Sequence, residues 1–168
     1  MRNLFILFTL IFSFFFTGSA PFETDEIKTF ILVRHAEKVD DSEDPVLSED
    51  GIARSYYLDY MLEQLNPDAI YTSPYNRTRE TIHHIAERYS IEPIVYDPQS
   101  QDILVKEWLE SEDGFTYVIS GHSNSIPELA NLLLNRTHFD EHFDESDYGN
   151  LLIITVTNND ANILHLRY

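Results

Sequence analysis

The stretch FILVRHAEK, from Phe30 to Lys38, decides the fold of this chain. Its first half is a continuous apolar run, which is typical of a strand covered on both faces of a sheet. An arginine and a histidine, Arg34 and His35, follow the run directly. Ligands of open α/β sheets bind at the carboxyl ends of the strands. The stretch therefore predicts a buried strand that brings two chemically active side chains to a binding edge.

Strands and helices alternate along the rest of the chain. After residue 26, short apolar runs are followed by segments whose apolar residues recur at helical spacing, which indicates an α/β domain. We therefore predict a single three-layer α/β/α domain with a mostly parallel central sheet, closed by a hairpin around the TNND stretch. The predicted strands are Thr29–Val33, Ala69–Thr72, Ile94–Tyr96, Thr116–Ser120, Leu151–Thr157 and Asn162–Arg167, and the predicted helices are Ser48–Gln64, Asn76–Tyr89, Gln101–Leu109 and Ser125–Leu134.

Residues 1–20 have the layout of a secretory signal peptide. Arg2 provides a positive start, an apolar run follows from Leu4 to Phe16, and small residues precede residue 21. The run is shorter than the roughly 20 residues of a membrane-spanning helix. We expect a domain at residues 21–168 that is exported to the periplasm or the exterior and has no membrane span after cleavage. An uncleaved N-terminal anchor is the alternative.

Charge and cysteine content exclude several classes of function. The chain has a formal net charge of -18, which disfavours binding to nucleic acid and to anionic membranes. An anionic substrate would need a local positive pocket to overcome that field. The sequence contains no cysteine, so neither disulfides nor thiol chemistry are available.

Four side chains form a candidate anion site at the strand ends. Arg34 and His35 follow the first strand, Arg77 follows the second within SPYNRTRET, and His122 follows the YVIS strand within GHSNS. Guanidinium groups and helix N-termini suit the oxygens of a phosphate. A neutral imidazole is a competent nucleophile toward phosphorus, and a second one can donate to the phosphoryl oxygens. The pattern therefore indicates phosphoryl chemistry.

Several ordered motifs resemble those of the histidine phosphatase superfamily, also called the phosphoglycerate-mutase-like family. LVRHAEK is similar to the RHG signature of that family, with Ala36 in place of the usual glycine. The order and spacing of the other motifs match as well, so the resemblance covers roughly residues 28–157. The other motifs are LSEDGIARS, YTSPYNRTRET, VISGHSNSIPEL and YGNLLIITV.

The resemblance implies the role of each site residue. His35 would be the phosphorylated nucleophile, and Arg34, Arg77 and His122 would complete the phosphate pocket. It also implies a phosphoglycerate mutase-like fold and a reaction that needs neither a metal nor another cofactor. The substrate would be a small phosphorylated molecule. The oligomeric state is not predicted.

The proton donor of the family has no obvious counterpart here. Many members carry a glutamate after the third strand, where this chain offers Asp97 and Asp102. Acid phosphatases of the superfamily carry an aspartate directly after the second histidine, and that position is Ser123 here. Glu37 is a third option because it is close to His35 in sequence. Asp102 is the favoured candidate.

The expected function is therefore hydrolysis of a phosphate monoester outside the cytoplasm through a phosphohistidine on His35. Two acidic segments, residues 37–46 and 136–150, are expected to rim the site and to set its specificity. An envelope sugar phosphate would suit the compartment. The alternatives are a phosphohistidine protein phosphatase and a non-catalytic protein that binds phosphate or a sugar phosphate.

Overall fold

The computed structural model describes residues 26–111, 114–158 and 160–168. The predicted signal peptide lies outside these residues. No helix within the described ranges is long and apolar enough to span a membrane. The elements in chain order are β1 (Lys28–Arg34), α1 (Glu49–Met61), β2 (Ala69–Thr72), α2 (Asn76–Thr81), α3 (His83–Tyr89), β3 (Ile94–Val95), α4 (Gln101–Glu110), β4 (Phe115–Gly121), α5 (Ser125–Leu134), β5 (Asn150–Val156) and β6 (Ala161–Arg167).

The strands form a six-stranded sheet in the order β3-β2-β4-β1-β5-β6. The first four strands in this order are parallel to one another. Strand β5 runs antiparallel to β1, and β6 runs antiparallel to β5, so that β5 and β6 form the predicted hairpin. The register pairs Arg34 with Gly121 and Thr72 with Ser120. The carboxyl ends of β1, β2 and β4 therefore meet at one edge of the sheet, and the predicted fold class is confirmed.

Helices cover both faces of the sheet because β1 is apolar on both sides. Phe30 and Leu32 pack with buried residues of α4 and α5, such as Trp108 and Leu129. Ile31 and Val33 belong to a second cluster, which they form with residues of α1, of α3 and of the break between α2 and α3. Alternate side chains of one strand thus enter two separate cores. This double burial fixes β1 in the centre of the molecule.

The segment predicted as one helix, Asn76–Tyr89, is two helices that break at Ile82. Ile82 is fully buried and has φ -105° and ψ 7°, outside the helical range. The hydroxyl of Thr81 donates to the carbonyl oxygen of Arg77, a bond that is common where helices bend. The same hydroxyl accepts a hydrogen bond from the backbone N–H of Ala36 at 2.9 Å. The Thr81 hydroxyl beside the break therefore holds the turn that follows His35.

Two glycines allow the backbone to pack closely around the strand ends. A Cβ atom at Gly51 would lie 2.1 Å from the carbonyl oxygen of Glu37, so a side chain there is incompatible with the packing of α1. A Cβ at Gly121 would lie 2.8 Å from the Tyr96 hydroxyl and 2.9 Å from Ser125 Oγ. These close contacts explain why the sequence motifs have glycine, and no larger residue, at positions 51 and 121.

Candidate active site

His35 lies on the floor of the site, directly after β1. Its backbone N–H donates to the carbonyl oxygen of Gly121, and its Nδ1 lies 2.8 Å from the carbonyl oxygen of Ala36. A carbonyl only accepts, so Nδ1 carries the proton and Nε2 keeps its lone pair. Burial lowers the pKa of His35 to about 3, and the positive charge of Arg34 contributes to the shift. His35 is therefore neutral at ordinary pH, as a nucleophile must be.

His122 faces His35, with ring centroids 5.5 Å apart. Its Nε2 lies 2.8 Å from Ser73 Oγ, which in turn lies 2.9 Å from the hydroxyl of Thr78. Its Nδ1 lies 3.5 Å from Nη2 of Arg77, which can only donate. Burial lowers the pKa of His122 to about 4, and the positive charge of Arg77 adds to the effect. The neutral ring thus carries its proton on Nε2, and it needs a second proton on Nδ1 to donate to a phosphoryl oxygen.

Arg77 begins the first turn of α2 and reaches toward the second histidine. Its guanidinium carbon lies 4.4 Å from the ring centre of Tyr75, and Nη1 contacts the carbonyl oxygen of Glu43. Nη1 lies 3.9 Å from a carboxylate oxygen of Asp44, which is a loose ion pair. The weak contacts leave most of the donor capacity of Arg77 available for an anion.

The fully buried Arg34 is engaged by the loop that precedes β5. Its Nη1 donates to the carbonyl oxygens of Asp144 and Asp147, and Nη2 donates to the carbonyl and the carboxylate of Glu145. Tyr148 covers the guanidinium group at 4.3 Å. Nε is buried and has no hydrogen-bond partner among the described residues. The role of Arg34 as a phosphate ligand stays a prediction, because four of its N–H groups bind the loop in this structure.

A cavity of about 220 Å³ opens beside the two histidines. Its volume suits a phosphoryl group with part of a leaving group. Arg77 and Lys38 provide positive charge at its wall, although Lys38 also contacts Asp41 at 2.6 Å. The lining residues are His35, Lys38, Ser42, Glu43, Pro45, Arg77, His122, Ser123, Asn124 and Glu145.

None of the three predicted proton donors lies among the described residues that line this cavity. Asp102 is in the first turn of α4 and borders a separate depression. Asp97 accepts hydrogen bonds from Gln99 and Ser100 and so holds the turn before α4. The choice of the acid from sequence order alone is therefore not supported by the placement of either aspartate.

Glu37 is held away from the cavity by Arg54. The two side chains form a bidentate ion pair with contacts of 2.6 to 3.0 Å. Burial alone would raise the pKa of Glu37, but the hydrogen bonds it accepts and the positive charges of Arg54 and Arg34 together lower the pKa. The pair ties the turn after His35 to α1.

The structure brings two acids to the cavity lining that the sequence reasoning missed, Glu43 and Glu145. The carboxylate of Glu145 accepts hydrogen bonds from Arg34 Nη2 at 2.7 Å and from the hydroxyl of Ser123. No local pattern identifies this residue, because it is one of many acids in a segment without periodicity. The position of Ser123 directly after the second histidine was the available signal.

One group of potential metal ligands occurs in the described part of the chain, at His83, His84 and Glu87 on α3. These side chains do not line the cavity of His35. His138 and His142, at helical spacing in the acidic segment, do not form such a group within the described residues.

Solved structures with the same fold have low sequence identity to this chain. A protein histidine phosphatase SixA complexed with tungstate has 14% identity and a TM-score of 0.67, over 83% of this chain and 96% of that chain. Bacillus stearothermophilus YhfR has 19% identity and a TM-score of 0.65, over 81% and 95%. A mycobacterial glucosyl-3-phosphoglycerate phosphatase has 12% identity and a TM-score of 0.61, over 85% and 99%. No curated protein matches the sequence.

A family model matches half of the 168-residue chain. The model describes the histidine phosphatase superfamily, branch 1, and covers residues 30–113. The match includes the RHA motif at the end of β1 and the segment of Arg77. With the fold and the paired histidines, it confirms the resemblance of the motifs. The chain belongs to branch 1 of the histidine phosphatase superfamily.

Proposed function

We propose that this protein is a phosphatase that hydrolyses a small phosphate monoester through a phosphohistidine on His35, without a metal ion and outside the cytoplasm. The observation that carries the proposal is the state of His35. Its Nδ1 proton is directed to the Ala36 carbonyl, and burial keeps the ring neutral beside a cavity that Arg77 and His122 line. This combination presents a nucleophilic Nε2 to a bound phosphoryl group.

The reaction has two steps. Nε2 of His35 attacks the phosphorus atom, a P–N bond forms, and the bond to the leaving oxygen breaks. A water molecule then attacks the same phosphorus atom, the P–N bond breaks, and inorganic phosphate departs. Arg77 and a protonated His122 would stabilise the negative charge of the phosphoryl oxygens, and the dianion itself favours that protonation.

The surroundings of the site favour substrates with few negative charges. Acidic residues are abundant in the two segments that flank the cavity, 37–46 and 136–149. Their field opposes polyanions such as nucleotides or inositol polyphosphates. A sugar monophosphate of the cell envelope fits this charge requirement and the proposed export.

A phosphohistidine protein phosphatase is the second candidate. The SixA structure of similar fold is described as a protein histidine phosphatase. The placement of Asp97 and Asp102 outside the cavity also favours it, because the imidazole leaving group of a phosphohistidine is basic enough to take its proton from solvent. Export opposes it, since phosphorelay partners are cytoplasmic. A phosphohistidine peptide as an alternative substrate distinguishes the two candidates.

The decisive experiment compares the full chain with His35→Ala in p-nitrophenyl phosphate hydrolysis between pH 4 and pH 8, with and without EDTA. We expect wild-type turnover that EDTA does not change, and a loss of at least about 10³-fold in the variant because the nucleophile is gone. His83→Ala is the matched control, since His83 is exposed on α3 and contacts Glu87.

Two further measurements, rapid-quench trapping of phosphate and phosphate binding, complete the test. Acid-labile phosphate trapped on His35 by rapid quenching, and missing from His35→Ala, would support the covalent step. Phosphate binding without turnover by the wild-type chain would instead favour the non-catalytic protein. Loss of activity in EDTA that zinc restores would contradict the metal-independent mechanism.

A further inference from the structure

The first step of the proposed reaction leaves a negative charge on the departing oxygen. An aryl oxygen such as p-nitrophenolate is stable as an anion, but a sugar or alkyl oxygen needs a proton in the transition state. The three acids predicted from the sequence do not line the cavity. Two acids line it, Glu43 and Glu145.

The geometry of the cavity favours Glu145 over Glu43. His35 is on the floor, 4% exposed, and in-line attack places the leaving oxygen on the opposite side of the phosphorus atom, toward the mouth. Glu145 lies at that mouth, with a side chain that is 77% exposed while it contacts the buried Arg34. Glu43 is also exposed, but its contact with the site is made by its backbone carbonyl, which binds Arg77.

Glu145 is also the better positioned of the two acids. Oε2 accepts from Arg34 Nη2 at 2.7 Å, and Oε1 accepts from the hydroxyl of Ser123. Ser123 directly follows His122, so these contacts fix the carboxyl group beside the catalytic histidines. Because two partners already hold the carboxyl group, less side-chain entropy is lost when the group contacts one substrate atom.

The protonation of Glu145 depends on what fills the cavity. The hydrogen bond from Ser123 lowers the pKa of Glu145, and the charge of Arg34 contributes. A phosphoryl group bound in the cavity adds negative charge beside the carboxylate, which favours its protonated form.

We infer that Glu145 is the general acid and base of this site, and that it enables the protein to act on esters with alkyl and sugar leaving groups. The inference rests on the phosphatase function proposed above. When Nε2 of His35 forms the P–N bond, the Glu145 carboxyl proton moves to the leaving oxygen and a neutral alcohol departs. In the second step the Glu145 carboxylate removes a proton from the attacking water, the P–N bond breaks, and the carboxyl group is restored.

The test measures how activity depends on the leaving group. Wild type, Glu145→Gln and Glu141→Gln are assayed with p-nitrophenyl phosphate and with benzyl phosphate, whose alkoxide requires protonation. Glutamine keeps one oxygen that can accept from Arg34, and its NH2 group can donate to the Ser123 hydroxyl, so thermal melting checks that the loop is retained. Glu141 is the matched control because it is an exposed acid of the same loop and does not line the cavity.

We expect Glu145→Gln to lower kcat for benzyl phosphate by about 10²- to 10³-fold and kcat for p-nitrophenyl phosphate by less than about tenfold. Equal losses on both substrates would overturn the inference and leave Glu145 a structural residue. A gain on both substrates would also overturn it, because the carboxylate would then only obstruct the phosphate pocket. The same substrate-selective loss in Asp102→Asn, with Glu145→Gln unaffected, would return the role to the aspartate.

The failure of this inference differs from the failure of the proposed function. If wild type hydrolyses both esters and Glu145→Gln does not discriminate between them, the phosphatase stands and the acid is wrong. If wild type hydrolyses neither ester and His35 is not phosphorylated, the phosphatase proposal fails first.

Discussion

The floor and the rim of the cavity are built in different ways. On the floor, His35, Ser73 and His122 follow three adjacent strands, and His35 and Ser73 bond to the backbone of β4. On the rim, residues 37–46 and 136–150 are acidic segments that reach the site through loop carbonyl oxygens and the carboxylate of Glu145. The floor is therefore fixed by the sheet, whereas the rim depends on contacts made by loops outside the sheet. We infer that the floor carries the phosphoryl chemistry and that the rim determines which group leaves.

A pair of histidine variants provides the strongest test of this comparison. His122→Ala on the floor removes a donor to the phosphoryl oxygens, and we expect kcat to fall about 10²- to 10³-fold. His142→Ala on the rim removes an exposed ring that contacts Glu128 at 3.1 Å, and we expect less than a twofold change. Steady-state kinetics with p-nitrophenyl phosphate measures both.

The outcome for the two histidines separates the regions directly. Similar losses in both variants would contradict the division, because the rim would then support the phosphoryl step itself. Circular dichroism of each variant confirms that the comparison is between folded proteins.

Ser73→Ala tests how the floor orients its second histidine. The Ser73 hydroxyl is the acceptor for the Nε2 proton of His122 and connects it to Thr78. Without it, the ring loses the contact that fixes its tautomer, and we expect kcat to fall about tenfold with little change in KM. The more conservative Ser73→Thr retains a hydroxyl and is expected to recover part of the rate.

A purely structural role for Ser73 would give a different result. In that case Ser73→Ala would lower the melting temperature and leave kcat per folded molecule unchanged, and Ser73→Thr would be no better than alanine because the site is fully buried. The ratio of kcat between Ser73→Thr and Ser73→Ala therefore decides whether Ser73 orients His122 or only fills space in the core.

His35 and His122 on the floor were predictable from the sequence because local patterns indicate the strands that carry them, whereas Ser73 was not among the predicted site residues. The apolar run before Arg34 and the run before His122 indicated strands, and parallel strands bring their carboxyl ends together. Glycine and threonine positions of the motifs also have local causes, such as the close contact at Gly51. The elements differ from their predicted bounds by a few residues, apart from the break at Ile82.

The rim could not be predicted in the same way, since its contacts join distant parts of the chain. Arg34 and Glu145 are 111 residues apart, and Ser123 and Glu145 are 22 apart. Asp97 and Asp102 were chosen for their position after the third strand and Glu37 for its closeness to His35, but Glu37 is bound by Arg54 and the aspartates border the start of α4. Loop acids acquire a role from tertiary contacts that no period in the sequence encodes.

The smallest expected effect concerns the pH at which the two histidines of the floor become protonated. Burial lowers the pKa of His35 to about 3 and that of His122 to about 4, so both rings remain largely neutral at pH 5 in the free protein. An ordinary histidine, with a pKa near 6.5, would be only about 3% neutral there. We therefore expect the ring carbon signals of His35 to titrate in NMR spectra well below pH 5. His35→Ala assigns the signal.

The same shift makes folding dependent on pH. In the unfolded chain His35 binds a proton below about pH 6.5, whereas in the folded protein it does so only near pH 3, so stability is lost as the pH falls through this interval. At pH 5 the loss amounts to about 2 kcal/mol for this one group. Urea unfolding at pH 7 and pH 5 should therefore show a smaller decrease in His35→Asn than in wild type. Equal decreases would mean that His35 is not held neutral, and the floor would then be no more rigid than the rim.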